Sequence, residues 1–363
     1  MSNKVLFVAD VHFGIGNRLN DILWAMRSVS MYALENDIKH IFVLGDLFHD
    51  RNKITVDVGC AAYEFFENAK NLGQEWIIFP GNHDMFMKSG WNITSVKTLS
   101  SVARIFSDVT LLKIGTQRFW LLPFIYFEDV YMKVLDKIHQ QYEAGDVLLT
   151  HVGANNASLN ECFLIKHWSI VDFTDSLFDR IYGGHFHCHQ QVGKNMWFVG
   201  SPIPFKFDEG VVDHGFIEFD MATRDHKFIN IFEYSKIPNP PPDFPTITDE
   251  WIDTIDDEIV VGNNIRVVLS REYSSVELAV IRDKLIKMGA KKVSWMKAKE
   301  EEIELKDQTN DASVSISDAS SLIKMWLSKD KPEHINSEYL LELNDEVVAI
   351  GNDKISVDEE VWE

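Results

Sequence analysis

The sequence predicts an α/β protein, a sandwich of two mixed sheets with helices outside. Three observations predict it. Strand-length apolar runs alternate with segments of helical spacing at the start of the chain, which argues for a parallel sheet. Further such runs then follow with few helices between them, which argues for a second sheet packed on the first. Short polar motifs stand just behind several of these runs, at the edge where the carboxyl ends of parallel strands assemble sites.

Taken in order, Lys4–Ala9 (KVLFVA) reads as a buried strand, Asn20–Glu35 as a helix and Ile41–Leu44 as a second strand. Val56–Leu72 is helical and Trp76–Phe79 is a third strand. Apolar runs at Phe119–Leu122, Val147–Thr150, Arg180–Tyr182, Met196–Val199, Gly215–Phe219 and Phe228–Phe232 supply the rest. IPNPPPDFPT (Ile237–Thr246) carries five prolines in ten residues, which neither a helix interior nor a central strand tolerates, so it marks a boundary. Beyond it Asn264–Ser270 reads as a strand, Ser275–Met288 as an amphipathic helix and Lys292–Ala298 as a strand, a small α/β module. An acidic stretch follows, then two short amphipathic helix candidates, Ala319–Leu327 and Asn336–Leu343. The expected division is 1–237, a proline-rich linker 238–246, a second domain 247–300, an acidic linker 301–316, a helical element 317–351 and an acidic tail 352–363.

With 45% hydrophobic and 12% aromatic residues among 363, the chain can bury a sizeable core and is not of disordered composition. No apolar run approaches the about 20 residues of a membrane span. The start, MSNKVLFVADVHFG, is not read as a signal peptide, because Asp10 interrupts its apolar stretch. Cys60, Cys162 and Cys188 are few and scattered, as expected of free thiols in a reducing cytoplasm. The net charge of −21 argues against a nonspecific nucleic-acid coat. Residues 1–243 hold 21 basic and 29 acidic side chains and residues 244–363 hold 14 and 27, so much of the acid lies in the C-terminal third.

The residues with chemistry to offer are Asp10-Val-His12, Gly45-Asp46, Gly81-Asn82-His83-Asp84, His151 and Gly184-His185-Phe186-His187. Singly, each could be a turn or a satisfied histidine. Together they offer carboxylates, an amide oxygen and imidazoles without sulfur, a set that suits manganese, iron or zinc better than calcium or magnesium alone. Two cations about 3.5–4 Å apart need a bridging anion. Asp46, behind the middle of the first three strands, is the natural one. Such a pair could activate water, clamp phosphate oxygens and stabilise an in-line displacement. In GGHFHCHQ the spacing of His185, His187 and His189 would put all three on one face of a strand. His40, His139, His167, His214, His226 and His334 have no comparable context and read as surface or satisfied core residues.

The pattern DxH, GD, GNHD, H, GHxH resembles the calcineurin-like metallophosphoesterase superfamily. GDLFHDR, GNHD and GSPIPFKFDEG (Gly200–Gly210) more narrowly resemble the SbcD-type nucleases of bacteria and phages, over residues 3–235 well and over 245–300 more weakly. The resemblance implies a four-layer αββα sandwich, a DNA-capping domain over 247–300 and a C-terminal helical tail. It implies two divalent metals, expected to be manganese, with iron, zinc or magnesium as alternatives. One would be held by Asp10, His12, Asp46 and His187, the other by Asp46, Asn82, His151 and His185. His83 would stabilise the transition state or protonate the leaving 3′ oxygen, oriented by Asp84, and His49 would support exonuclease action. His189 has no place in the motif and is taken as a neighbour of the ligands. Phosphoprotein phosphatases read GDxVDRG and GNHE instead, with arginines that grip phosphate, and Arg51 stands one residue too far from Asp46 for that branch.

RDKLIKMGAKKVSWMKAK (Arg282–Lys299) carries seven basic side chains and one acid, with Trp295 among them. Arg282, Lys284, Lys287, Lys291, Lys292 and Lys297 are the candidate DNA contacts, and Trp295 could stack on a base or merely pack. A solvated helix face beside a lysine-guarded edge strand reads equally well. The resemblance further implies an SMC-like, SbcC-type ATPase partner docked at 317–351, and a homodimer through the apolar faces of Asn20–Glu35 or Ile93–Phe106. The expected activity is manganese-dependent 3′–5′ exonuclease and endonuclease action on DNA. The alternatives are a small-molecule phosphodiesterase and a non-catalytic DNA-end-binding scaffold.

Overall fold

A computed structural model describes residues 2–86, 93–160, 163–164, 170–173, 176–207, 209 and 212–297. The helical element 317–351, both acidic segments and the fragments of other motifs that fall between these ranges lie outside the described residues.

The chain runs β1 (Lys4–Val8), α1 (Leu19–Glu35), β2 (His40–Leu44), α2 (Val56–Asn71), β3 (Glu75–Phe79), β4 (Arg104–Ile105), β5 (Thr110–Ile114), β6 (Gln117–Leu122), α3 (Glu128–His139) and β7 (Val147–His151). The short strands β8 (Gly153–Ala154), β9 (Ser158–Asn160), β10 (Phe163–Leu164) and β11 (Ile170–Val171) come next. Then follow β12 (Ile181–Gly184), β13 (Gln190–Val192), β14 (Met196–Phe198), β15 (Gly215–Asp220), β16 (His226–Asn230) and α4 (Ile231–Tyr234). The last elements are β17 (Thr246–Thr248), α5 (Asp257–Val260), β18 (Asn264–Leu269), α6 (Ser275–Lys287) and β19 (Lys292–Lys297).

Two six-stranded sheets have the orders β16-β15-β1-β2-β3-β4 and β13-β14-β12-β7-β6-β5. In the first, β1 to β4 are parallel while β15 and β16 run antiparallel. In the second, β14, β12, β7 and β6 are parallel between antiparallel edges. Both sheets are therefore mixed, as expected.

The apolar runs do not alternate because both faces of each central strand are buried. Val5 and Phe7 of β1, Phe42 and Leu44 of β2, and Ile77 and Phe79 of β3 point between the sheets, against Phe119, Leu121, Val147, Leu149, Tyr182 and Trp197. Leu6, Val8, Ile41, Val43, Trp76 and Ile78 point the other way, onto α1 and α2. Trp120, Leu122, Leu148 and Ile181 cover α3 through Tyr131, Leu135 and Ile138. The layer order is thus helix, sheet, sheet, helix. Phe7 is the hub of the inter-sheet core, with its ring centroid 4.7 Å from Tyr182 and 5.7 Å from Phe42.

Two local expectations are corrected and one helix is added. Ile93–Phe106, expected to offer one apolar face, holds a 3₁₀ turn at Ser95–Leu99 followed by β4. Val96 and Leu99 are buried in the α1/α2 core, while Ile93 is 63% exposed. The run Phe228–Phe232 is strand only to Asn230, whose side chain accepts from the N–H groups of Phe232 and Glu233 and starts α4. The helix Glu128–His139, which the sequence reading passed over, covers the second sheet.

Beyond the proline-rich stretch, β17, β18 and β19 form a parallel three-stranded sheet with α6 packed on one face. It has its own core of Ile247, Ile265, Val267, Leu269, Leu285 and Val293. Ser274 and Glu277 close a capping box at the start of α6, which fixes where the helix begins.

Candidate metal centre

Asp10 stands two residues beyond β1, Asp46 two beyond β2, Asn82 three beyond β3, His151 at the end of β7 and His185 one beyond β12. These strands are parallel neighbours within their sheets, so their carboxyl ends meet at one edge of the sandwich. The backbone loops there are laced together: Asp10 N–H donates to Gly45 O at 3.2 Å, His12 N–H to Asp46 O at 3.0 Å and His49 N–H to Phe13 O at 3.0 Å.

Turning the side chains inward strains the chain. Asp10 (φ 51°), His12 (54°), Asp46 (51°) and His185 (113°) all hold positive φ, a conformation that costs an L-residue roughly 1–2 kcal/mol. Two glycines leave room for them. A Cβ on Gly45, itself at φ +82°, would lie 2.3 Å from His151 Nδ1, and one on Gly81 would lie 2.2 Å from Asp46 Oδ1.

The seven expected ligands converge in two groups with Asp46 between them. On one side, Asp10, His12 and His187 bring donor atoms within 4.8 Å of one another, and the His12 and His187 Nε2 atoms face each other at 3.0 Å. On the other, Asn82 Oδ1 lies 3.1 Å from His151 Nε2 and 2.9 Å from His185 Nδ1. Asp46 Oδ2 is 3.8 Å from His12 Nε2 and 3.5 Å from His151 Nε2. Asp10 also joins Asp46 and His151 in a group of this kind, and its carboxylate accepts the His185 N–H at 3.0 Å.

The outer nitrogens are engaged by groups that fix which nitrogen faces inward. His151 Nδ1 donates to Leu44 O at 2.8 Å. His187 Nδ1 meets the buried Glu209 at 2.8 Å, a carboxylate behind a histidine that orients the ring and raises its basicity. Burial works to raise the Asp46 carboxyl, but His151, His12 and His83 outweigh it and hold it well below the usual carboxylate range. Burial pushes Asp10 up to about 6 against the pull of His151 and His187. It also holds His12 well below the ordinary value and takes His185 to about 3, so both rings keep lone pairs to give. Inward-facing imidazole nitrogens 3.0 Å apart, beside two buried carboxylates and an amide oxygen, fit a pair of divalent cations.

His49 and His83 join the cluster. Their rings lie nearly parallel, 5.4 Å apart, and each is within 5.2 Å of the His12 ring. His83 N–H donates to Asp46 Oδ1 at 2.7 Å and His83 Nδ1 to His49 O at 2.6 Å. The expectation that Asp84 orients His83 is corrected. The Asp84 carboxylate is fully buried and accepts from the N–H groups of Leu47 (3.1 Å), Phe48 (2.9 Å) and Gly81 (3.0 Å). It ties the second loop to the third, and the His83 ring is held by a backbone carbonyl instead.

His189 is corrected too. Residues 185–189 are not a strand, because β12 ends at Gly184. The His189 ring meets Phe198 O at 2.9 Å and stacks on Phe228 at 4.0 Å, the role of a satisfied structural histidine. His40, His139, His214 and His226 also meet ordinary partners in Glu75, Ser176, Ser201 and Tyr182; His167 and His334 lie outside the described residues. Glu209 is the residue sequence reasoning missed. It stands inside GSPIPFKFDEG, but nothing local ties a carboxylate to a histidine 22 positions earlier. Cys60 is exposed and Cys188 buried.

An αββα sandwich with this donor set at the carboxyl ends of its parallel strands is the arrangement of a metal-dependent phosphoesterase. The family model of the calcineurin-like phosphoesterases matches residues 3–189, just over half of the chain, and the chain belongs to that family, whose members bind two divalent metals. It is 22% identical over 216 residues to "Putative phosphoesterase 244L" of Invertebrate iridescent virus 6, covering 57% of this chain and 72% of the viral protein. Among solved structures it is similar to GAP50, the anchor in the inner membrane complex of Plasmodium, at 11% identity and a TM-score of 0.38, over 62% of this chain and 88% of the other. Among the described residues, no helix is long and apolar enough to cross a membrane.

Proposed function

We propose that this phosphoesterase is a DNA nuclease of the SbcD type, a manganese-dependent 3′–5′ exonuclease with endonuclease action in recombination and double-strand-break repair. The observation that supports it is the pair His49 and His83, two partly exposed imidazoles set against the buried His12. Two divalent cations held by Asp10, His12, Asp46, Asn82, His151, His185 and His187 would supply Lewis acidity to the phosphate and ease deprotonation of an attacking water. The chain's own part is to hold Asp46 ionised between the two groups of imidazoles and to give a proton to the leaving 3′ oxygen from His83. The contact of His83 Nδ1 with His49 O sets that ring's orientation and leaves Nε2 for the substrate.

The small α/β unit would cap the DNA with Arg282, Lys284, Lys287, Lys291, Lys292 and Lys297. Lys287, Lys291 and Lys292 are exposed, whereas Lys284 pairs with Asp253 at 2.6 Å and Lys297 with Glu272 at 3.5 Å. Trp295 is partly buried against the unit's core, under Arg282 at 5.8 Å. A protein of net charge −21 gains from a helper that grips DNA, and an SMC-like ATPase docked at 317–351 would be that helper. A homodimer would use α1, where Met31 and Leu34 are 36% and 42% exposed. The place of action would be the cytoplasm. The paired lysines and the overall acidity favour one second reading, a small-molecule phosphodiesterase.

The test is digestion of end-labelled duplex and single-stranded DNA with manganese, beside Asn82→Ala and His83→Ala variants and a bis-nitrophenyl phosphate control. DNA degradation lost in both variants is the expected result. Diester turnover with DNA left intact, with and without the ATPase, would move the assignment to the small-molecule reading. Binding of DNA ends without turnover of either substrate would make the chain a scaffold.

A further inference from the structure

Among the described residues, Phe205, Phe207 and Glu209 lie between the metal centre and the small α/β unit. Phe205 packs its ring 5.6 Å from His12 and 5.4 Å from His187. Glu209 is 2% exposed; its Oε1 meets His187 Nδ1 at 2.8 Å and its Oε2 accepts the Phe205 N–H at 2.8 Å. Its backbone carbonyl meets His214 Nε2 at 2.8 Å, and His214 Nδ1 in turn meets Ser201 O at 3.0 Å, so the carboxylate is held from behind.

Phe207 meets the small unit. Ile265, Val267 and Leu269 of β18 face that unit's own core, so by strand alternation Arg266 faces the other way. Its guanidinium lies 4.3 Å over the Phe207 ring. Phe207 meets Phe244 edge-on at 5.2 Å, and Arg18 sits over both Phe244 (5.1 Å) and Phe205 (5.9 Å) while donating to Pro204 O. A run of packed rings and guanidinium groups therefore leads from the β18 face to the rings of His12 and His187. Packed contacts of this kind carry a displacement, because interiors have little free volume to absorb one.

We propose that Phe205, Phe207 and Glu209 couple the small α/β unit to the metal centre, with Glu209 and Phe205 as positioning residues for His187 and His12, and Arg266 as the contact through which the unit acts. The coupling rests on the metal centre alone and holds whether the substrate is DNA or a small diester. A unit seated against Phe207 keeps Glu209 behind His187 and the Nε2 atoms of His12 and His187 facing one another. A unit drawn away by its ligand, or by substitution of Arg266, loosens both rings.

The test uses the full chain with Arg266→Ala and Arg266→Lys, beside Glu209→Ala and Glu209→Gln. Manganese affinity is read by calorimetry, and kcat and KM with bis-nitrophenyl phosphate, a diester too small to span from the site to β18. Arg266→Ala is expected to weaken manganese binding about threefold to tenfold and to lower kcat with little change in KM, and Arg266→Lys to restore most of the loss. Glu209→Ala is expected to weaken manganese binding about 10–100-fold, the usual cost of losing the partner of a ligating histidine, and Glu209→Gln, which keeps an acceptor, by less. Melting curves taken without metal identify any variant that has not folded; if Glu209→Ala is one, the Arg266 pair still decides. A folded Arg266→Ala protein with wild-type manganese affinity and diester kcat would overturn the coupling, as would an equal loss in Arg266→Lys.

Discussion

At the scale of single residues, the site is built from conformations that are unfavourable singly and sustained by their surroundings. Asp10, His12, Asp46 and His185 all hold positive φ, and bonds between loops tie them, from Asp10 N–H to Gly45 O, His12 N–H to Asp46 O and His185 N–H to the Asp10 carboxylate. Asp84 is the clearest case. It supplies acceptors to three buried N–H groups of two different loops, although its place beside His83 suggests chemistry. Removing a buried acceptor leaves each donor unsatisfied at about 1–3 kcal/mol. Asp84→Ala is therefore expected to lower unfolding free energy by about 3 kcal/mol or more, measured by urea denaturation without metal. A change below about 1 kcal/mol would return Asp84 to a direct role in the chemistry. Asn82 and His83 adjoin in sequence but should separate in function. Asn82→Ala should weaken manganese binding. His83→Ala should leave that binding near wild type while slowing hydrolysis of an unactivated diester by about 10²–10⁴-fold. Calorimetry beside steady-state rates distinguishes the two, and equal losses of manganese affinity would refute the division.

At the scale of elements, the strands were legible because burial on both faces writes an unbroken apolar run, as in Val5 to Val8 and Ile41 to Leu44. The helix Glu128–His139 was not, because it follows directly on the apolar run Phe124–Phe127 and has no side-chain cap to announce its start. Ile93–Phe106 misled for the opposite reason. Its apolar residues have helix-like spacing, yet Val96 and Leu99 reach the core from a single 3₁₀ turn. The run His185–His189 follows strand spacing but belongs to the loop after β12, so His189 turns away to Phe198 and Phe228. Between the sheets, Phe7 touches Phe42, Phe119, Tyr182 and Phe219. Truncating it to alanine should cost about 3–5 kcal/mol, and a loss under about 1 kcal/mol in chemical denaturation would mean the two sheets do not depend on this contact.

At the scale of the whole molecule, two sheets pack face to face and the charged centre sits at the edge where the carboxyl ends of their parallel strands gather. Cations that bind only the folded arrangement stabilise it by mass action, by about 2.7 kcal/mol at a hundredfold excess over Kd. Stripping the protein with a chelator should therefore lower its melting temperature, and manganese should restore it in proportion to the logarithm of its concentration. An Asp46→Asn variant should show little of that dependence, since Asp46 stands between the two groups. A melting temperature unmoved by chelation in the native sequence would count against a metal-loaded centre.

The sequence by itself determined the main strands of both sheets, the helices α1 and α2, the two-sheet class, and the seven side chains that gather at the edge. Apolar runs and strand-end motifs are local patterns, and the parallel order then sends those ends to the same side. Tertiary structure alone decided which atoms face each other. The backbone carbonyls of Leu44 and His49 choose the inward nitrogen of His151 and the orientation of His83, and carbonyls carry no mark in a sequence. Glu209 reaches His187, and Arg266 of β18 reaches Phe207, only because segments separate along the chain fold onto one another. Such pairings rest on three-dimensional packing, and no spacing rule along the chain encodes them.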